Sequence, residues 1–123
     1  MVPTYPPSRS IDARKEPRVS VSWRARLTLP TGQIHEARVR DISESGLGIV
    51  VHEIVPVQQM LALSVSMPDV EDMTKAYMVN ARIRPLFVVL QGHDYRLGAE
   101  WHELPEAART LLKAWIRRIQ HGL

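Results

Sequence analysis

The sequence contains no cysteine, and this absence removes several classes of protein at once. Disulfide-stapled folds, thiolate zinc sites, iron–sulfur clusters and cysteine nucleophiles all need that residue. The chain also has no apolar run near the ~18 residues that a membrane-spanning helix requires. Its N-terminus, MVPTYPPSRS, has prolines where the apolar segment of a secretory signal would lie. We therefore expect a cytoplasmic protein that contacts no membrane.

Aromatic residues are also few, at 6% of the 123 residues, and most of them fall on predicted apolar faces. Grooves that bind single-stranded nucleic acid need exposed aromatic rings on which bases stack. We therefore expect no nucleic-acid partner. An OB-like nucleic-acid binder stays as an alternative that a strong salt dependence of oligonucleotide binding would support.

The basic residues are mostly arginine. Of the 16 lysines and arginines only three are lysine (Lys15, Lys75 and Lys113), and the formal net charge is +3. A guanidinium group forms paired hydrogen bonds with phosphates and with the O6/N7 edge of guanine, whereas lysine offers a point charge. A GC-rich genome raises arginine content too, so the positions of the arginines matter more than their number.

The length and the 45% hydrophobic content fit one globular domain. Residues 1–11 are rich in proline and poor in apolar side chains, which predicts a flexible leader before a domain at 12–123. Alternation of apolar and polar residues predicts about six strands, which lie at 19–29, 34–41, 47–51, 60–67, 77–87 and 95–101. Short strands joined by turns favour an all-β fold, either an antiparallel barrel or a sandwich.

One amphipathic helix is predicted at about 104–121. Pro105 suits the first helical turn, apolar residues recur at three- and four-residue steps, and Gly122 marks the end. We assign the apolar stripe of this helix, which includes Trp115, to the core and not to a dimer surface.

No pattern selects a catalytic or metal site. The five histidines are scattered, and the acidic residues at 69–72 lack the glycine and the distal glutamate of a calcium loop. The chain has no Walker loop and no G-x-S-x-G nucleophile elbow. We expect no catalytic residue, no metal and no cofactor, and an enzyme ranks last among the function classes.

The first informative motif is Arg14-Lys15-Glu16-Pro17-Arg18, where the leader meets the first strand. In an extended chain, residues four apart point to the same side and lie about 13 Å from each other. A bend at Pro17 would bring the two guanidinium groups closer. Both could then bind one ligand that carries phosphate or guanine groups.

The second motif is Asp41-Ile42-Ser43-Glu44-Ser45-Gly46, at the end of the second strand. A carboxylate can accept hydrogen bonds from guanine or orient an arginine, and a serine hydroxyl can donate to a phosphate. A glycine permits a backbone bend and close approach of a ligand. Taken alone, such a segment is typical of an ordinary turn between strands.

The order of the two motifs resembles that of the PilZ domain family of cyclic di-GMP receptors, which has an R-x-x-x-R and then a D-x-S-x-x-G some 20 to 25 residues later. Pro17, the segment 47–49 and the late strand at 96–101 before a terminal helix are also similar to that family. The resemblance covers about residues 9–121. It implies a six-stranded antiparallel β-barrel with a C-terminal α-helix.

The resemblance also implies the ligand, bacterial cyclic di-GMP, and its binding residues Arg14, Arg18, Asp41, Ser43 and Gly46. Further contacts are expected from Arg9, Ala13 and Lys15, and Ala13 leaves open whether one or two ligands bind. Ordering of residues 9–18 on the ligand would then create or hide a surface for a downstream protein partner. The alternative is a PilZ-fold protein-interaction module without nucleotide binding, for instance in pilus or flagellar regulation.

Overall fold

The computed structural model describes residues 16–122, in which six antiparallel strands close into a barrel. The strands are β1 (Val19–Thr28), β2 (Ile34–Ile42), β3 (Gly46–Val51), β4 (Leu61–Pro68), β5 (Ala76–Gln91) and β6 (Asp94–Glu103), and helix α1 (Glu106–Gln120) follows. Their order around the barrel is β1-β2-β3-β6-β5-β4, and β4 pairs back to β1. The predicted all-β fold with a terminal helix is confirmed, and the barrel is the correct one of the two architectures.

The core lies inside the barrel because alternate residues of each strand point inward. On β4, for example, every second residue from Leu61 to Met67 is buried, as the sequence alternation predicts. Fully buried side chains come from all six strands and from α1, and the largest are Leu27, Ile42, Leu47, Ile49, Leu61, Leu63, Met67, Ile83, Leu97 and Leu112. Burial of this apolar area, at about 25 cal/mol per Å², is the main force that closes the sheet.

Helix α1 packs its apolar stripe into the core, as the sequence predicts, through Ala108, Leu112, Trp115 and Ile116. The Trp115 ring meets the Trp23 ring edge-on, with centroids 6.0 Å apart, and its Nε1 donates a hydrogen bond to the Pro68 carbonyl at 2.7 Å. Pro105 directly precedes the helix, with a φ of −54° that suits helix entry. Within residues 16–122, no helix is long and apolar enough to span a bilayer.

Four irregularities in strand pairing interrupt the simple alternation that the sequence predicts. The pairing of β1 with β2 shifts between Ser20 and Trp23, and that of β2 with β3 shifts just before Asp41. The pairing of β5 with β6 shifts twice, between Arg82 and Ile83 and again between Pro85 and Phe87. Strand β5 ends at Gln91, beyond the predicted end at Phe87. Such bulges change which face a side chain points to, and they are frequent near functional sites.

Candidate ligand-binding site

Asp41 lies on the outer face of the barrel, just after the irregularity in β2. It pairs with Gly48 of β3, whose neighbours Leu47 and Ile49 both point into the core, so Gly48 and Asp41 face outward. A Cβ atom on Gly48 would collide with the Asp41 carboxylate. The carboxylate therefore packs against the backbone of Gly48, so it stays close to the sheet although it lies outside the core.

Two arginines from distant parts of the chain meet at this carboxylate. Arg18 Nη1 donates to Oδ1 at 2.8 Å, and Arg96 Nη2 donates to Oδ2 at 2.9 Å. The Asp41 side chain is only 11% exposed, whereas those of Arg18 and Arg96 are 35% and 40% exposed. Charge-assisted bonds of this kind hold the guanidinium planes in place and leave their other N–H groups available to a ligand.

Ser43 and Gly46 form the turn that follows β2. The Ser43 N–H donates to the Gly46 carbonyl at 2.9 Å, and the Gly46 N–H donates to Ser43 Oγ at 3.1 Å. The Ser43 hydroxyl also donates to the Gly46 carbonyl at 3.2 Å, and the residue is only 2% exposed. In this structure Ser43 therefore shapes the turn, and a direct contact between its hydroxyl and a phosphate stays a prediction.

Gly46 is required by the close approach of strand β6. A Cβ atom at this position would collide with the Ala99 carbonyl oxygen. The turn is also joined to β6 by Trp101, whose backbone N–H donates to the Ser45 carbonyl at 2.9 Å and whose Nε1 donates to the Ser43 carbonyl at 3.3 Å. The second motif is thus held rigidly against the last strand.

Glu16 joins the first motif to the second. Its Oε1 accepts a hydrogen bond from the Ser45 N–H at 2.9 Å, and its Oε2 accepts one from the Ser45 hydroxyl. Together with the ion pair between Arg18 and Asp41, this fastens the segment before β1 to the turn after β2. The described part of the first motif, residues 16–18, therefore forms one surface with the second motif.

A cleft of about 410 Å³ opens beside this cluster; its lining includes Asp41 and Arg96 together with Ser20, Val21, Arg40, Val50, Gln91 and Asp94. A larger cleft of about 720 Å³ lies near Arg82 and Pro105, away from Asp41. We assign the smaller cleft to the site because its lining includes Asp41 and Arg96, which form the ion pairs, whereas that of the larger cleft does not. Among the described residues, no group of three or more histidine or acidic side chains could hold a metal ion.

Of the sequence-predicted residues, the structure brings together Arg18, Asp41, Ser43 and Gly46. The other four, Arg9, Ala13, Arg14 and Lys15, lie outside the described residues. Sequence reasoning missed the site positions of Glu16 and Arg96. Glu16 stands inside the first motif and could have been noticed there, but the position of Arg96 depends on which strands pair when the barrel closes.

A family model described as the PilZ domain matches residues 12–118. The chain therefore belongs to the PilZ domain family, a family of cyclic di-GMP receptors that are typically not catalytic. A comparison with curated protein sequences gave no match.

Several solved structures are similar to this chain. The inhibitor of motility MotI/DgrA from Bacillus subtilis has a TM-score of 0.73 at 15% identity, over 89% of this chain and 52% of MotI. YcgR from Escherichia coli in complex with c-di-GMP has a TM-score of 0.68 at 14% identity, over 88% and 46%. The PilZ domain of YcgR with c-di-GMP gives 0.65 at 15% identity, over 88% and 92%. This chain thus spans about half the length of MotI and of the longer YcgR chain, and at these identities the likeness is one of fold.

Proposed function

We propose that this protein is a cyclic di-GMP receptor that binds the dinucleotide through Arg14, Arg18, Asp41, Ser43 and Gly46. The observation that supports this most is the ion pair between Arg18 of the first motif and Asp41 of the second. Because the Asp41 carboxylate accepts one N–H of Arg18, it fixes the orientation of the guanidinium group toward a ligand. Preorganisation of this kind reduces the entropy lost on binding.

Each residue has a distinct part in the proposed site. Arg18 donates one N–H to Asp41 and keeps its remaining donors and its flat face for a phosphate or a guanine. Arg14 supplies the second guanidinium group, so that the two phosphates and two guanines of the ligand meet paired donors. Ser43 and Gly46 fix the conformation of the turn that follows Asp41 and let this turn pack closely against β6.

The proposed output is a change of surface and not a chemical reaction. Ligand binding would fix residues 9–18 against the dinucleotide, starting from the contacts of Glu16 and Arg18 with the second motif, and so create or hide a contact surface for a downstream protein partner. The likeness to an inhibitor of motility makes a partner in motility a reasonable choice for the first pull-down. The expected cytoplasmic location agrees with a receptor for a bacterial second messenger.

Titration calorimetry with cyclic di-GMP tests the proposal. We expect a dissociation constant between micromolar and nanomolar, or about 8 to 12 kcal/mol of binding free energy. Arg14→Ala and Arg18→Ala should each remove most of this affinity. Arg26→Ala is the matched control, since it deletes an equal charge from an exposed pair with Glu36 on the barrel.

Two results would count against the proposal. Undiminished affinity in both arginine variants would rule out this site. No heat and no shift of melting temperature with the unmodified chain would favour the alternative, a PilZ-fold protein-interaction module without nucleotide binding.

A further inference from the structure

A row of four residues crosses the outer face of the barrel beside the site. Asp41 of β2 pairs with Gly48 of β3, Gly48 pairs with Gly98 of β6, and Gly98 pairs with Phe87 of β5. The two middle positions are glycines, so bare backbone forms the floor of a shallow trough. Asp41 stands at one end of the trough and Phe87 at the other.

The side chains at both ends lean over the glycines. The Asp41 carboxylate occupies the space of a Cβ on Gly48, and the Phe87 ring occupies the space of a Cβ on Gly98. Adjacent antiparallel strands lie about 4.7–4.9 Å apart. The ring and the carboxylate therefore rest over neighbouring backbones, and the ring lies close to the Asp41 cluster.

Phe87 is exposed in a way that suits a stacking partner. It is the only phenylalanine of the chain, and 51% of it is accessible although its ring rests on backbone. Arg96 lies on the same outer face as Gly98, two residues earlier in β6. It pairs with Val89, just as Gly98 pairs with Phe87, so Arg96 is a near neighbour of the Phe87 ring. An aromatic face beside guanidinium groups is the combination that binds a nucleobase by stacking and by paired hydrogen bonds.

We infer that Phe87 is a base-stacking residue of this site: its ring, seated on Gly98, stacks against one guanine of the dinucleotide while Arg96 donates to the same ligand. The inference rests on the proposed function, and it extends the site beyond the two motifs to β5 and β6. The stacked base lies on the exposed face of the Phe87 ring, and the Arg18–Asp41 pair lies at the other end of the row.

Calorimetry with cyclic di-GMP on Phe87 variants tests this inference. Phe87→Ala should weaken binding by about 5- to 150-fold, the range seen when an aromatic stacking partner is removed. Phe87→Tyr should keep the affinity. Leu90→Ala is the matched control, because it shortens another exposed apolar side chain of the same hairpin and should bind as the unmodified chain does.

Phe87→Leu separates stacking from simple apolar packing. Leucine keeps most of the apolar volume but has no aromatic face, so stacking predicts a loss close to that of Phe87→Ala. Full affinity in Phe87→Leu or in Phe87→Ala would overturn the inference. Thermal unfolding of each variant without ligand shows whether the barrel is intact.

Nuclear magnetic resonance provides a direct readout of the ring. Because Phe87 is the only phenylalanine, labelling with ring-¹³C phenylalanine gives one set of aromatic signals. Saturating cyclic di-GMP should shift these signals upfield, whereas unchanged ring signals at saturation would contradict stacking. If the unmodified chain binds no dinucleotide, both the proposed function and this inference fail; if it binds with Phe87 unmoved, only the inference fails.

Discussion

Arg96 donates a hydrogen bond to Asp41 at 2.9 Å although 55 residues separate them along the chain. The contact forms because barrel closure places β6 beside β3, which in turn pairs with β2. Asp41 uses its other carboxylate oxygen for Arg18. One acidic side chain thus connects the segment before β1 to the last strand, and this connection gives the site its shape.

Replacing Asp41 with asparagine should destabilise the barrel. Asparagine keeps one acceptor oxygen, so the variant retains one of the two hydrogen bonds in a weaker form, and its NH₂ group faces the other guanidinium group with donor against donor. Since both arginines are more than a third exposed, solvent screening reduces the effect, and we expect the free energy of unfolding to fall by about 1–2 kcal/mol. Urea unfolding measures this change. Glu36→Gln, which breaks an exposed pair, should cost under about 0.5 kcal/mol; equal losses in the two variants would refute a special role for Asp41.

Two glycines of the site should respond differently to an added methyl group. Gly46→Ala places the methyl against the backbone carbonyl of Ala99, which cannot move alone, so unfolding should become easier by about 1–3 kcal/mol. Gly48→Ala meets only the Asp41 side chain, which can rotate away. That variant should therefore keep more stability but lose cyclic di-GMP affinity. Denaturant unfolding and calorimetry on both variants check this, and the opposite ranking in stability would contradict it.

Removing Glu16 should loosen the joint between the two motifs. In Glu16→Ala the Ser45 N–H loses its acceptor, so hydrogen exchange at Ser45 should quicken by about 5-fold, as expected for a bond worth ~1 kcal/mol. The Thr74 N–H, which donates to Asp72 in a separate loop, is the internal control and should exchange at its usual rate. Unchanged exchange at Ser45 would mean that Glu16 does not hold the turn.

The acidic loop gives a prediction on pH. The Thr74 hydroxyl and the Thr74 N–H both donate to Asp72, and these bonds lower the pKa of that carboxyl. The ionised form is therefore favoured by folding, and its contribution is present above the unfolded pKa and lost as pH falls through the folded pKa. Thr74→Val should raise the pKa of Asp72 toward its ordinary value. A carboxyl titration followed by nuclear magnetic resonance measures this, and an unmoved pKa would contradict the cause given.

The strands were predictable because burial imposes a period of two. Val79, Ala81 and Ile83 of β5 alternate with polar residues in the sequence and point inward in the barrel. The shift after Pro85 was not predictable, since a bulge depends on the partner strand and not on local alternation. For this reason the predicted strand ended at Phe87, and the apolar residues 88–90 were not assigned to β5.

Only those residues of the site that belong to the two local sequence motifs could be predicted. The order of the two motifs predicted that Arg18 and Asp41 act on one ligand, and the structure shows these two side chains paired with each other. Arg96 could not be assigned in advance, because its neighbours are set by the order of strands around the barrel. Phe87 could not be assigned in advance either, because its ring packs on Gly98 only when β5 and β6 pair.

A crystal structure of the chain with saturating cyclic di-GMP tests the central claim most directly. The account predicts the dinucleotide on the outer face of β2 and β3, within hydrogen-bond distance of the Arg18 guanidinium group, with Asp41 still paired to it. A dinucleotide bound elsewhere on the barrel, or an empty Arg18–Asp41 surface under saturating ligand, would contradict it.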